Sequence, residues 1–307
     1  MVRVFLALSV LISLHYSNDA IAQGCSDAGL CSIQGMDGSC QDESTNKHKF
    51  SAGTTLGMGD NGTRVTGFSL SFEKQLQPKW IVSSKLTASS ITGEMASTSG
   101  FGDLFLTSAY LLSSGSNHSL TWIAGCKVPI GKPSVKKNDY DLPMAYQPSL
   151  GSLDAMLGIV FHRNQMQVSI GIQQPLSGES DNAFLPESYP NAQAMKYPAS
   201  NRINRKGDIL ARFTYTIPVF TSRLTNRVSL LPIYHLGEDT YSDARRERVS
   251  IVGSDGLTLN GNVVSSYRIN ERNSLEFSLG VPFVTRDVRP DGLTRSYVFG
   301  IEYTFQY

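Results

Sequence analysis

The sequence predicts an all-β chain, a transmembrane antiparallel up-and-down β-barrel of about twelve strands with short periplasmic turns and long extracellular loops. Three observations predict it. Runs of alternating polar and apolar residues recur from Phe50 onward, and a period of two marks a strand with two unlike faces. Most runs are 9 to 13 residues long. That exceeds the roughly five or six residues of a soluble strand and approaches what a tilted strand needs to cross a bilayer. The connectors alternate in size, short at one end and long at the other, as in outer-membrane barrels.

Bulk composition conceals this pattern. The 307 residues carry 27 Lys and Arg against 26 Asp and Glu, for a formal charge of +1. Such a balance lacks the basic excess of a nucleic-acid binder, so no nucleic-acid partner is expected. Mean hydropathy is slightly negative, because a period of two mixes lipid-facing apolar residues with lumen-facing polar ones and the average cancels. The low share of charged residues, 17%, is what survives the averaging.

At the N-terminus, Arg3 precedes an apolar stretch from Val4 to Leu14, and Ala20-Ile21-Ala22 offers a small-x-small cleavage site. Residues 1–22 therefore read as a secretory signal peptide. Residues 23–49, rich in Gly, Ser, Asp and Gln, read as a leader or small plug. Cys25, Cys31 and Cys40 crowd into this segment and, in an exported chain, are candidate disulfide partners. Their spacing lacks the paired C-x-x-C of a metal site, so no metal and no cofactor are expected.

The barrel is placed at 50–307. Its strands are expected at 50–58, 65–74, 79–90, 102–112, 118–128, 154–162, 165–174, 207–217, 226–236, 258–269, 273–284 and 295–307. The last is the clearest, with Tyr297, Phe299, Ile301, Tyr303, Phe305 and Tyr307 alternating against Ser296, Val298, Gly300, Glu302, Thr304 and Gln306. Turns after even strands are short, as at Arg163-Asn164. Loops after odd strands are longer, at about 11 residues after the third, 25 after the fifth, 32 after the seventh and 21 after the ninth. Trp80, Trp122, Tyr110, Tyr215, Tyr234, Tyr267 and Tyr303 fall near run ends, where an interfacial aromatic girdle belongs. A secreted β-sandwich, the competing arrangement, would have shorter strands and comparable loops at both ends. In hydrocarbon every N–H and C=O must be paired, and only a closed sheet leaves no edge.

The ending Tyr303-Thr304-Phe305-Gln306-Tyr307 resembles the aromatic-terminated last strand by which bacterial outer-membrane proteins are recognised for barrel insertion, with Tyr in place of the usual final Phe. The resemblance implies that Tyr303, Phe305 and Tyr307 form the insertion signal, that the insertion machinery and outer-membrane lipids are partners, and that the chain resides in a Gram-negative outer membrane. Gly100-Phe101-Gly102-Asp103-Leu104-Phe105-Leu106 is similar to the G-x-G-D-x-x-L segment of outer-membrane proteins associated with the meta-cleavage pathway of phenol degradation. Tyr146 to Asp154 looks like the loop-to-strand entry of the same group. Together these cover about twenty residues. They imply a channel or facilitated transporter for small, hydrophobic or aromatic solutes.

With the apolar phase given to lipid, the lumen-lining candidates are Glu73, Lys85, Asp103, Arg212, Arg268, Glu276 and Glu302, joined by Gln165, Gln167, Asn260 and Asn262. An ionisable group on the lipid face costs up to several kcal/mol near the midplane. Opposite charges on neighbouring predicted strands, Glu73 with Lys85 and Asp103, and Arg268 with Glu276, suggest cross-strand pairs. The loops 129–153 and 175–206 carry Met144, Tyr146, Phe184, Tyr189, Met195 and Tyr197, which either pack as a lid or capture a ligand. A surface barrel whose long loops bind a partner or host ligand is the alternative class. A lipid hydrolase would need a histidine base at the outer end, where His235 alone lies, without a His-x-x-Asn-Gly signature. No catalytic residue is assigned, and the oligomeric state is left open.

Overall fold

Each expected alternating run becomes a strand, and the twelve strands close on themselves. The structure, a computed structural model, describes residues 48–219, 221, 223–292 and 296–307. The signal segment, and the leader with Cys25, Cys31 and Cys40, lie outside the described residues, apart from the leader's last two residues, His48 and Lys49, which open the first strand.

The barrel strands are β1 (His48–Met58), β2 (Arg64–Gln77), β3 (Trp80–Thr92), β4 (Ser97–Ser114), β5 (His118–Pro129) and β6 (Asp154–Arg163). They continue as β7 (Met166–Pro175), β8 (Asp208–Ile217), β9 (Leu224–His235), β10 (Gly256–Arg268), β11 (Asn273–Val284) and β12 (Tyr297–Gln306). Each pairs antiparallel with its sequence neighbours, and β1 pairs β12 from Lys49↔Gln306 to Met58↔Tyr297, closing the sheet. His48 and Tyr307 exchange backbone hydrogen bonds of 3.2 and 3.0 Å at the seam, so both strand ends are tied at the short-turn rim.

One connector differs from expectation. The loop after the third strand is only the four residues 93–96, because β4 runs for 18 residues from Ser97 and takes up the rest as strand. The extension carries a bulge: Leu86 faces Leu104 and Ala88 faces Phe101, so Gly102 and Asp103 together oppose Thr87. The bulge is anchored by Thr87, whose hydroxyl donates to the Asp103 carbonyl (3.0 Å) and accepts from the Asp103 amide (2.8 Å). A two-against-one mismatch bends the strand and re-aims the side chain after it. The Gly-Asp motif read from the sequence is this bulge.

Facing follows the period of two. Phe68, Leu70, Phe101, Ile170, Phe213, Leu230, Val263, Leu279 and Phe299 are all exposed and point to the lipid. Trp80, Tyr110 and Trp122 are register partners on β3, β4 and β5, and with Tyr215, Tyr267 and Tyr303 they form an exposed aromatic band at the periplasmic level. Tyr234 lies at the opposite end. A one-residue slip of β12 would put Glu302 on the lipid side in place of Ile301, so burial of one face specifies the register.

Inside, the two halves of the barrel differ. Phe105, Ala109, Ile123, Met156, Val160, Leu210, Leu231 and Ile233 form a buried apolar core against the wall from β4 to β9. The inward positions of the opposite wall are small and polar: Ser51, Gly53 and Thr55 on β1, Gly67, Ser69 and Ser71 on β2, Ser278 and Gly280 on β11, and Gly300 on β12. Large apolar side chains thus fill one side of the lumen, and small residues alternate with charged ones on the other.

Candidate functional site

The inward phase of the small-residue wall carries most of the predicted lumen charges. Glu73 takes Lys49 as ion-pair partner at 3.2 Å, and the two are register partners on β2 and β1. Glu276 and Glu302 stand directly opposite on β11 and β12. Like charges in that position repel, and each is held by a different neighbour. Arg227 on β9 reaches Glu276 at 2.7 Å, while Ser266 on the intervening β10 donates to the same carboxyl at 2.6 Å. Glu302 is hydrogen-bonded by Ser51 and lies within the field of Lys85.

The expected cross-strand pairs are therefore re-sorted. Glu73, Lys85 and Asp103 all face inward but do not pair with one another. Glu276 pairs with Arg227 and not with Arg268, which ends β10 exposed at the periplasmic rim beside Arg223 and Arg272. The reason is curvature: closing the sheet brings inward side chains of strands two apart together over a small residue between them, here Ser266. Arg212 is buried on the inward face of β8, and Asn260 and Asn262 are buried on that of β10.

Asp103, aimed by the bulge, belongs to a buried group that the sequence analysis did not single out. Lys127 on β5 is fully buried and pairs with Asp154 at 2.9 Å and with Asp103 at 3.9 Å. Ser149 donates to Asp103 Oδ1 at 2.5 Å, Lys127 donates to Ser152 at 3.0 Å, and Gln173 donates to Asp154 at 2.6 Å. The same phase rule would have found Lys127, since it shares the inward face of β5 with Ile123 and Gly125.

Above this level the long loops fold inward. Tyr146, Leu142, Phe184, Ala194 and Tyr197 pack with Val65, Ile91 and Met95 in one buried cluster, and Met144, Leu150, Ile203 and Ile251 form a second. Tyr146 and Tyr197 share a hydroxyl hydrogen bond of 3.2 Å, and the Met95 amide donates to Tyr146 at 3.2 Å. Burial, then the bond to Tyr146, holds the Tyr197 phenol protonated well above the usual tyrosine range. The loop aromatics thus resolve as a lid. Met195 and Tyr140 stand exposed on its surface.

Charges bind the lid to the wall. Arg286 donates to Asp291 at 2.9 Å and to the Ser254 carbonyl at 2.6 Å, and Arg205 reaches Asp208 at 2.7 Å and Asp291 at 3.5 Å. Burial pushes the Asp291 carboxyl up, but Arg286 and Arg205 outweigh it and hold the group well below the usual carboxylate range. Burial likewise opposes the Arg205 charge, yet Asp208, Asp291, Asp239 and Asp154 raise its proton affinity further. His235 lies between two carboxylates, Nδ1 at 2.7 Å from Asp208 and Nε2 at 2.9 Å from Asp239. Both ring nitrogens are engaged, so His235 has none to offer a serine hydroxyl, as a hydrolytic base would. It is a strut between the wall and the loop 236–255.

Beneath the lid is a cavity with about 890 Å³ of non-atom space, part of it open to solvent. Its wall is the small-residue face of β1 to β3, and its roof is the loop stretch 144–150 with Asp291 and Gly292. Lys85, Thr55, Ser69 and Ser89 line it together with Val65, Ile91, Met144 and Leu150. At the seam below, Tyr307 stacks on His48 with ring centroids 5.2 Å apart and on Phe305 at 5.6 Å, and Tyr303 donates to Asn273.

No family model matches the chain, and no curated protein matches it. Among solved structures it is similar to the NanC porin at 7% identity, covering 85% of this chain and 100% of that one with a TM-score of 0.49. It is also similar to the KdgM porin, at 8% identity over 84% and 99% of the two chains with a TM-score of 0.44. A third is the CymD monoaromatic hydrocarbon channel, at 10% identity over 94% and 95% with a TM-score of 0.45. At these scores the similarities carry no argument; the closed, twelve-stranded transmembrane barrel rests on its own pairing and its lipid-facing belt.

Proposed function

We propose that this barrel is an outer-membrane channel or facilitated transporter for small solutes that combine apolar surface with polar groups. The observation that carries the proposal is the one-sided lumen: an apolar core fills the β4–β9 side, while the inward faces of β11, β12 and β1 to β3 carry Gly, Ser, Thr and charged groups, with a mixed cavity under the lid against β1 to β3. A barrel that only displayed loops would gain nothing from this asymmetry, and its loop aromatics would face outward, whereas Tyr146, Phe184 and Tyr197 are buried. The mixed lining suits the small hydrophobic or aromatic solutes that the meta-cleavage resemblance implies. The terminal Tyr303, Phe305 and Tyr307 are proposed as the insertion signal, and outer-membrane lipids as the partners of the exposed belt.

The purified barrel in planar bilayers tests this. Discrete conductance steps, with uptake of small aromatic alcohols by proteoliposomes above that of lipid alone, are expected. A barrel that inserts but shows neither conductance nor solute flux would refute the channel.

A further inference from the structure

We infer that the cavity beneath the lid is a binding site for small carboxylates carried on an apolar ring or chain, with Lys85 as the residue that selects the anion. This rests on the channel reading for its biological use, but not for the binding itself. Three ionised side chains line it: Lys85, Asp103 and Asp291. Both carboxylates are committed. Asp103 takes the Ser149 hydroxyl at 2.5 Å and faces Lys127 at 3.9 Å, and Asp291 takes Arg286 at 2.9 Å with Arg205 at 3.5 Å. Lys85 is different. It forms no ion pair among the described residues, and its charge acts on Glu302, which is hydrogen-bonded by Ser51.

An ammonium in a partly desolvated cavity makes its strongest bonds to an ionised acceptor. Ser69, two residues along β2 from Ser71, the register partner of Lys85, lines the same wall with a hydroxyl able to donate to the second carboxylate oxygen. The apolar part of such a ligand finds Val65, Ile91, Met144 and Leu150. A neutral ring would leave the ammonium without a direct ion-pair partner, and a cationic one would meet its repulsion. Lysine acts here as a compact point charge, so arginine should preserve much of the selection while a neutral chain of similar length removes it.

Calorimetric titration of the full barrel in detergent at pH 7 tests this with three probes of one size: benzoate, benzyl alcohol and benzylammonium. Benzoate should bind roughly tenfold or more tightly than benzyl alcohol, the scale of one charged hydrogen bond. Lys85→Met should erase that difference, and Lys85→Arg should retain it. Absent benzoate binding, equal binding of benzoate and benzyl alcohol, or a preference untouched by Lys85→Met would overturn the inference. Conductance is read separately. A conducting barrel without benzoate preference removes the carboxylate site and keeps the channel, whereas benzoate binding without conductance removes the channel and keeps the site.

Discussion

Lys127 and Asp154 form a fully buried ion pair, 2.9 Å apart, between β5 and β6 at the level where the lid meets the barrel wall. Asp103 shares the lysine at 3.9 Å, delivered there by the Gly102–Asp103 bulge. Removing one partner of a buried pair leaves an uncompensated charge, which typically costs about 3 to 5 kcal/mol. Lys127→Met should therefore lower the unfolding free energy by about that amount, read by urea titration of the heat-modifiable gel shift. The double variant Lys127→Met with Asp154→Leu should recover part of it. Equal stability of the single variant and the parent would show that the pair is not buried in solution.

The lid should loosen in acid through Asp291. Its carboxyl is held below the ordinary value by Arg286 and Arg205 against the opposing effect of burial. A group whose folded pKa is lowered contributes stability that is complete above its unfolded value, near 4, and is lost as pH falls toward the folded one. Hydrogen exchange in the loops 130–153 and 285–292 should thus accelerate progressively below about pH 4. Asp291→Asn should exchange faster at neutral pH and show a flatter acid response. An unchanged acid profile in that variant would remove Asp291 from the latch.

Gly292 sits at φ +65°, and a Cβ there would overlap the Met144–Ala145 backbone in the cavity roof. Gly292→Ala adds left-handed strain of about 1 to 2 kcal/mol to that overlap. The roof should shift, giving higher or more frequently open single-channel conductance with the barrel fold retained by circular dichroism. Conductance identical to the parent would place the roof outside the conducting path.

Tyr146→Phe deletes the acceptor of the Met95 amide and the link to Tyr197 while keeping the buried ring. Two neutral hydrogen bonds are worth about 1 to 2 kcal/mol together. Faster exchange of the Met95 amide and faster proteolysis within the loop 176–207 are the expected readouts. Neither should change in Tyr140→Phe, whose ring packs on Tyr189 at the lid's edge.

Arg227 holds Glu276, which faces Glu302 across β11 and β12. Arg227→Met leaves the two facing carboxylates without that cation. The reversal potential under a KCl gradient should shift toward cation preference, and Glu302→Gln in the same background should bring it back. A reversal potential insensitive to both changes would show that ions do not pass this wall.

Much of this was legible from alternation alone. All twelve strands lie where the runs fall, and the inward phase assigned Glu73, Lys85, Asp103, Arg212, Glu276 and Glu302 to the interior. Partners were not legible. Arg268 is the basic residue that alternation sets on the strand next to Glu276, yet it ends at the periplasmic rim, and Arg227 reaches Glu276 from two strands away. The long β4 starts five residues before the expected 102 because Ser97 to Phe101 lacks apolar alternation. Those residues stand as a strand extension braced by the lid, where Thr98 donates to the Tyr146 carbonyl at 2.7 Å.

Local residue order was enough for strands, facing and closure, because a bilayer enforces a period of two and forbids unpaired edges, constraints that act on each segment separately. Charge pairing, the lid and the cavity depended on the closed sheet. Curvature brings residues of non-adjacent strands together, one bulge redirects Asp103, and loops distant in sequence meet over the mouth. These are properties of distances between segments, which no single run of residues encodes. The Lys127–Asp154 pair illustrates the division: the phase of each strand turns both side chains inward, and only the register of β5 on β6 sets them 2.9 Å apart.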